Sequence, residues 1–393
     1  MSDEITDEEL ESLQNPVPRV QEAEWKRILS QINQQNLDKL LGLAGFKLID
    51  WQFHAQSQGV INKIFFIRAQ RVNDSKIVEL VLRLNNPHPF WLGKRNRTEI
   101  GIMNYIKKNS KIPVATIYSY SSDPNTSIIG CDYILMEKLP GEVLENLITN
   151  DIYDLPDRLF DDIIAIVQEI KYLKEFDPKI IGAFDENMNL TDLTLDGPTI
   201  KKSSSFIDFL NQQFNFSLKE VKKIKKYSAL ANRLEKFQAD LNEFTKNNPQ
   251  TNELNFSDTM AIQHGDLNAS NILVDPETYK ITGILDWDFC KHTFDDKSLE
   301  FLNWWCDEAN EEKMRERMNT FRLKYSNERK QVGEELRHKL NFIAETANQL
   351  GFYVTSWFRS DNFDAEARQH MDHFAKMIEN LLNEFKFDDY ISF

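Results

Sequence analysis

Apolar residues recur along this chain with two periods, and the switches between them mark the elements. From Ala23 to Leu43 the spacing is helical, enough for one or two helices, with Trp25, Ile28 and Ile32 on one face and Gly45 ending the stretch. Three strand-like runs follow, Lys47 to His54, Lys63 to Gln70 and Ile77 to Leu84. A helix reads from about Lys94 to Lys108, then a buried strand over Tyr133 to Leu139 that turns polar. Pro156 to Phe176 has the helical repeat Leu159, Ile163, Ile166, Ile170, Leu173. Residues 177 to 200 look loop-like, and residues 203 to 247 helical, with a basic run at Lys222-Lys223-Ile224-Lys225-Lys226 that reads as a solvated face. Met260 to Ile262 leads into a polar stretch; Ile272 to Asp275 and Tyr279 to Leu285 then read as strands. Helices are expected from about Lys297 to Glu308, along Leu336, Leu340, Ile343, Ala347 and Leu350, and along Met371, Phe374, Ile378 and Leu381.

The polar stretch His264-Gly265-Asp266-Leu267-Asn268-Ala269-Ser270-Asn271 sits between two of these apolar runs, and the strand after it ends in Asp286-Trp287-Asp288. Acids at the ends of apolar runs suit phosphoryl transfer. A carboxylate must take the proton of the attacking hydroxyl, and Asp266 fits. Hard oxygen donors must hold magnesium beside the nucleotide phosphates, and Asn271 and Asp286 fit. The five-residue step from Asp266 to Asn271 matches the catalytic loop H-R-D-x-x-x-x-N of protein kinases, and Asp286 takes the place of the metal-binding Asp of D-F-G. Gly265 stands where protein kinases carry Arg, and Trp287-Asp288 stand in place of Phe-Gly. The whole pattern resembles the aminoglycoside phosphotransferase and choline kinase group of small-molecule kinases.

That resemblance implies further roles. The connection before the second strand would cover the phosphates. It is not G-x-G-x-x-G, but Ser57, Gly59 and Asn62 are candidates for phosphate contact. Arg83 would supply the cation for the α- and β-phosphates, where the usual residue is Lys. On an edge strand Arg83 would instead be a solvated charge. Glu99 is the single acid between Glu79 and Asp123 and shares a helical face with Ile102, Met103 and Ile106. A carboxylate on an apolar face needs a cation, so Glu99 is paired with Arg83. Ile112-Pro113-Val114-Ala115 resembles the family's Ile-Pro-Val-Pro. The run at Glu137-Lys138-Leu139 would be the hinge, with the backbone of Glu137 and Leu139 on the adenine edge. His264 would brace the loop, and Asp288 would assist the metal or line the acceptor site. Asp295, Asp296, Trp304, Trp305, Asp307 and Glu308 are acids and aromatics that suit a cationic amine, or else core tryptophans and helix-capping acids.

Composition narrows the field. The chain of 393 residues carries a net charge of -15, which disfavours nucleic acid as a partner. No apolar run approaches the roughly 20 residues of a membrane span, and the acidic start of the chain has no signal-peptide core, so a cytoplasmic protein is expected. Cys131, Cys290 and Cys306 are scattered, which argues against disulfides or a zinc site. His370 and His373 have no companion ligands in sequence.

The resulting expectation is an α+β, bilobal protein-kinase-like fold: a flexible acidic tail over 1–20, an N-lobe with an antiparallel sheet plus one helix over 21–138, and a mainly helical C-lobe over 139–393. It would be an ATP- and Mg2+-dependent kinase acting on a hydroxyl of a small molecule, a cationic amino-alcohol or aminoglycoside among the candidates. One rival is a pseudokinase that binds nucleotide without turnover, favoured by Arg83 and the glycine-poor loop. The other is a protein kinase, opposed by Gly265, by Asp286-Trp287-Asp288 and by the lack of an A-P-E segment. Oligomeric state is left open by the sequence.

Overall fold

The computed structural model describes residues 17–54, 62–85, 94–148, 155–171, 173, 180–194, 199–249, 251, 254, 260–294, 332–357 and 365–390. Helices α1 (Val17–Ser30) and α2 (Gln34–Leu43) come first. Asn33 caps α2 by accepting the Asn36 amide, which stops α1 and α2 from merging. Then come β1 (Phe46–Phe53), β2 (Asn62–Arg71), β3 (Ile77–Asn85), helix α3 (Lys94–Asn109), β4 (Ile117–Ser121) and β5 (Tyr133–Glu137). The five strands form one antiparallel sheet in the order β1-β2-β3-β5-β4. β3 is the middle strand. The edge-strand alternative for Arg83 is therefore excluded, and the side chain is 5% exposed. Leu80, Leu82 and Leu84 alternate with it and bury on the other face, against α1 and α2.

The rest of the chain begins with β6 (Glu142–Val143), α4 (Leu144–Leu147) and α5 (Asp157–Lys171). Residues 180–200 are not plain loop: the described part holds β7 (Ala183–Phe184), β8 (Leu190–Thr191), β9 (Leu193–Thr194) and β10 (Thr199–Ile200). Two-residue pairings are too short to show a period of two, so the sequence could not reveal them. Long helices α6 (Phe206–Val221) and α7 (Ser228–Asn247) follow. The single helical stretch expected over 203–247 is broken between them, at the basic run. Its four lysines surround the buried Ile224 at the corner, where a short 3-10 turn covers Lys225–Tyr227. The strands β11 (Met260–Gln263), β12 (Ile272–Val274), β13 (Ile281–Ile284) and β14 (Lys291–Phe294) carry the acid-bearing turns, and α8 (Val332–Trp357), α9 (Ala365–Glu384) and a short 3-10 turn over Phe387–Tyr390 end the described chain. No described helix is long and apolar enough to cross a membrane. Cys131 and Cys290 are buried free thiols. Cys306 and the helix expected over 297–308 lie outside the described residues.

Three apolar clusters hold the molecule together. One joins α1 and α2 to the five-stranded sheet. A second packs α5 and the strands around the polar loop against Ile102, Met103 and Ile106 of α3. A third is made by α6, α7, α8 and α9. Helix α3 belongs to two worlds: its polar side meets the five-stranded sheet, while its apolar side belongs to the second cluster. It approaches the β7–β8 hairpin very closely. Thr98 Oγ1 donates to the Phe184 carbonyl at 2.7 Å, and a Cβ on Gly101 would lie 2.1 Å from the Asp185 carbonyl oxygen.

Gly101→Ala should therefore lose about 2 kcal/mol net, overpacking outweighing the better helix propensity of Ala. Gly42→Ala, in α2 where a Cβ meets nothing within 4 Å, should gain about 0.5–1 kcal/mol. Urea midpoints at constant slope check both.

Candidate active site

The loop from His264 to Asn271 leaves β11 and enters β12, and the turn at Asp286 leaves β13. The two meet because β12 and β13 pair antiparallel, with Ile272 opposite Ile284. Backbone and side chains then lock the turn to the loop. The Leu285 amide donates to the Asn271 carbonyl at 2.9 Å. The Leu285 carbonyl lies 2.9 Å from His264 Nε2. His264 Nδ1 accepts from the Asp266 amide at 3.3 Å. These partners assign the tautomer: Nε2 carries the proton and Nδ1 is an acceptor. The ring lies against Trp287, 4.4 Å between centroids, and Trp287 is itself fully buried with Nε1 donating to the Ile284 carbonyl at 3.1 Å. Burial pushes the His264 imidazole down to about 4, against the upward pull of Asp286. A second proton would also face the Asp266 amide donor to donor. His264 thus braces the loop as a neutral ring.

Gly265 explains itself in the same place. Its φ is +87°, and a Cβ there would stand 2.3 Å from the Phe289 carbonyl oxygen. An Arg at this position would not fit.

Asp266 is half-buried and held at both oxygens. Asn268 Nδ2 donates to Oδ1 at 2.9 Å and Asn271 Nδ2 to Oδ2 at 3.0 Å, with a further bond of 2.7 Å from Asn271 Nδ2 to the Asp266 carbonyl. Asn268 was missed in the sequence. It caps the short 3-10 turn at Ala269–Asn271 by accepting the Ser270 amide, and an Asn two residues after an acid in a turn is the signal that could have found it. Asn271 presents its amide hydrogens to Asp266, so its carbonyl oxygen is the atom that can face a cation. Asp286 adopts left-handed backbone, φ +60° and ψ +65°, a conformation that costs a non-glycine residue of order 1 kcal/mol and gathers at functional sites.

Arg83 brings the sheet to this turn. Its guanidinium grips both oxygens of Glu99, with one contact at 2.8 Å, and reaches Asp286 Oδ1 at 3.5 Å. Glu99 is 1% exposed. Burial pushes its carboxyl above the ordinary carboxylate range, Arg83 pulls it back and Asp286 adds to the rise. Burial works against the Arg83 charge too, but the three carboxylates of Glu99, Asp286 and Asp288 outweigh it and hold the guanidinium protonated. Among the described residues Arg83 Nε has no acceptor, a donor direction that suits a phosphate oxygen.

The structure therefore brings Arg83, Glu99, Asp266, Asn271 and Asp286 to one place. Asn62 stands at the start of β2 opposite Asn85. Ser57 and Gly59 lie outside the described residues. So do Asp295, Asp296, Trp304, Trp305, Asp307 and Glu308. The Glu137 amide donates to the Thr116 carbonyl at 2.9 Å, and its carboxylate accepts from Thr116 Oγ1 at 2.8 Å. Burial opposes the charge of that carboxylate, but the Thr116 hydrogen bonds and Lys107 outweigh it and hold it below its ordinary range. Leu139 packs on the second cluster and its Cδ1 closes over Gly283. Asp288 is buried and lines a cleft of about 440 Å³, with Arg97, Asp185, Asp192, Lys202 and Phe289 among its walls. Asp266, Asn271 and Asp286 are not part of that lining.

No three His, Cys, Asp or Glu side chains gather into a metal cage among the described residues. The fit to a cation rests on the donors present. Asn271 and Asp286 offer two hard oxygens, the set that magnesium takes when phosphate oxygens and water complete its shell.

Comparison with known proteins bears on this arrangement. A model of the phosphotransferase enzyme family matches residues 55–294. A subtelomeric hrmA-associated cluster protein of Aspergillus fumigatus is 27% identical over 103 residues, 25% of this chain and 19% of that protein. Clavilactone A biosynthesis cluster protein Y of Ampulloclitocybe clavipes is 28% identical over 217 residues, 51% of this chain and 50% of that protein. The chain thus spans half or less of these curated relatives. Among solved structures, choline kinase LicA from Streptococcus pneumoniae aligns with a TM-score of 0.50 at 13% identity, over 91% of this chain and 99% of that one. An aminoglycoside phosphotransferase in ternary complex with AMP-PNP and hygromycin B gives 0.47 at 13% identity, over 87% and 97%. The likeness to the choline kinase shows the fold, α+β and protein-kinase-like.

The state of His264 generates a pH test. Above about pH 6.5 the ring is neutral in both folded and unfolded chains; between about 6.5 and 4 the unfolded chain binds a proton that the folded one refuses. Stability from this residue is complete at neutral pH and is lost as pH falls through that window, by about 3 kcal/mol. The stability gap between the native protein and His264→Gln, read by urea unfolding at pH 7.5 and pH 4, should shrink by about that amount.

Proposed function

The chain belongs to the phosphotransferase enzyme family, and from that premise we propose that it moves the γ-phosphate of ATP to a hydroxyl group of a small molecule. The observation that carries this is the meeting of Asp266, Asn271 and Asp286 with an Arg83 that already touches Asp286. Asp266 takes the proton of the acceptor hydroxyl as its oxygen bonds to the γ-phosphorus and the bond to the β-phosphate bridging oxygen breaks, releasing ADP. Asn268 and Asn271 hold that carboxylate in a fixed orientation through one hydrogen bond to each oxygen. Asn271 and Asp286 would hold magnesium, which would screen the charge on the transferring phosphate. Arg83 holds the α- and β-phosphates, and Glu99 holds Arg83. The adenine lies at the hinge by Glu137 and Leu139, where the two lobes over 21–138 and 139–393 divide.

For the acceptor, the net charge of -15 supports a cationic amino-alcohol, since an acidic protein attracts a cation; the cleft lined by Asp288 holds none of Asp266, Asn271 and Asp286 and is not assigned to the acceptor. A second reading has its own observation: Arg83 is engaged by Glu99 and Asp286 together, which also suits a nucleotide-binding protein that does not turn over.

Asp266→Asn separates the two. It should lower kcat by about 10²- to 10⁴-fold while AMP-PNP affinity, measured by calorimetry, stays within about twofold. Full phosphotransfer by the variant would contradict the role given to Asp266. A panel of amino-alcohols, aminoglycosides and neutral sugars with magnesium and ATP, read by mass spectrometry, should yield phosphorylated amines; product from neutral sugars alone would defeat the cationic acceptor.

A further inference from the structure

Two hydrogen-bonded rungs run side by side between β3 and α3. Arg83 and Asn85 are two apart on the strand and so share a face. Asn96 and Glu99 are three apart on the helix and so are neighbours on one side. Arg83 to Glu99 is the charged rung. Asn85 Nδ2 to Asn96 Oδ1, at 2.7 Å, is the neutral one. Asn96 then reaches past β3, its Nδ2 donating to the Ser121 carbonyl at 2.9 Å and the Tyr133 carbonyl at 3.3 Å, on β4 and β5. The Asn96 side chain has no exposure and Asn85 is 6% exposed.

A buried amide has no water to fall back on, so leaving one of these groups unpaired is costly. The next step along α3 turns its side chains by about 100°, and Asn96 would then lose all three partners. An aliphatic residue at the same place would pack almost as well after a small slide. The amide therefore fixes both the rotation and the height of α3 over three strands at once. Glu99 sits one turn further along the same helix.

We propose that Asn96, with Asn85, is a positioning residue for nucleotide binding: the neutral rung sets α3 so that both Glu99 oxygens meet Arg83 and the guanidinium stands beside Asp286, facing the phosphates. This rests on the reading of Arg83 as the phosphate cation. Neither amide touches nucleotide; both act through the Arg83–Glu99 pair.

The test is a double-mutant cycle on the full chain, read as calorimetric affinity for AMP-PNP with magnesium, using Asn96→Leu, Glu99→Gln and both together. Asn96→Leu should weaken binding about tenfold in the native background and less than twofold in the Glu99→Gln background, where no pair is left to align. Asn85→Ser probes the same rung from the strand and should repeat the pattern, and thermal melts report that each variant is folded. Equal losses in both backgrounds, or native affinity in Asn96→Leu, would overturn the proposal. Arg83→Gln distinguishes the premise. If it binds AMP-PNP as the native protein does, Arg83 is not the phosphate cation, and the positioning role falls with it.

Discussion

A guanidinium and a carboxylate that share almost no solvent must find each other, and the Arg83–Glu99 pair sets where the rest of the site can go. Breaking such a pair by removing one partner costs about 3–5 kcal/mol, because the other charge stays buried. The sheet supplies one partner and helix α3 the other, so the pair exists only if the helix sits at one height on the sheet. The same helix buries Ile102, Met103 and Ile106 in the cluster that carries the polar loop. The distance from the central strand to Asp286 is thus set by one rigid element packed on both sides.

The loop has a parallel logic. Leu285 gives its amide to Asn271 and its carbonyl to His264, so one backbone unit holds the Asp286 turn to both ends of the His264–Asn271 stretch. His264 must be neutral for this, since Nδ1 accepts a bond. Trp287 fills the space behind it. Gly265 lets the Phe289 carbonyl approach where any side chain would collide. Each departure from the protein-kinase pattern has its own packing partner: Gly265 admits the Phe289 carbonyl, and Trp287 lies against the His264 ring.

Much of this was legible in the sequence because it depends on local spacing. The step from Asp266 to Asn271 is read from the catalytic-loop motif, and the strand ending at Asp286 and the lone acid Glu99 on an apolar helix face follow from periods of two and 3.6. What escaped depends on pairing between distant segments. Nothing near Arg83 says that β3 is the central strand; that follows from β5 crossing back to pair with it. Asn85 and Asn96 look like ordinary surface amides until the strand and helix are laid together. The lysines of 222–226 read as the face of a continuous helix, whereas Ile224 among them is buried and marks a corner. Asn268 escaped because a cap on a three-residue turn leaves no periodic trace.

The central claim is that the nucleotide phosphates lie between Arg83 on the sheet and the Asn271 and Asp286 oxygens on the loop. A crystal structure of the full chain with AMP-PNP and magnesium tests it most directly. The account predicts a phosphate oxygen within hydrogen-bonding distance of the Arg83 guanidinium and a magnesium ion shared by Asn271 and Asp286, with the Glu99 contact retained. A nucleotide bound elsewhere, or a metal held by neither side chain, would contradict it.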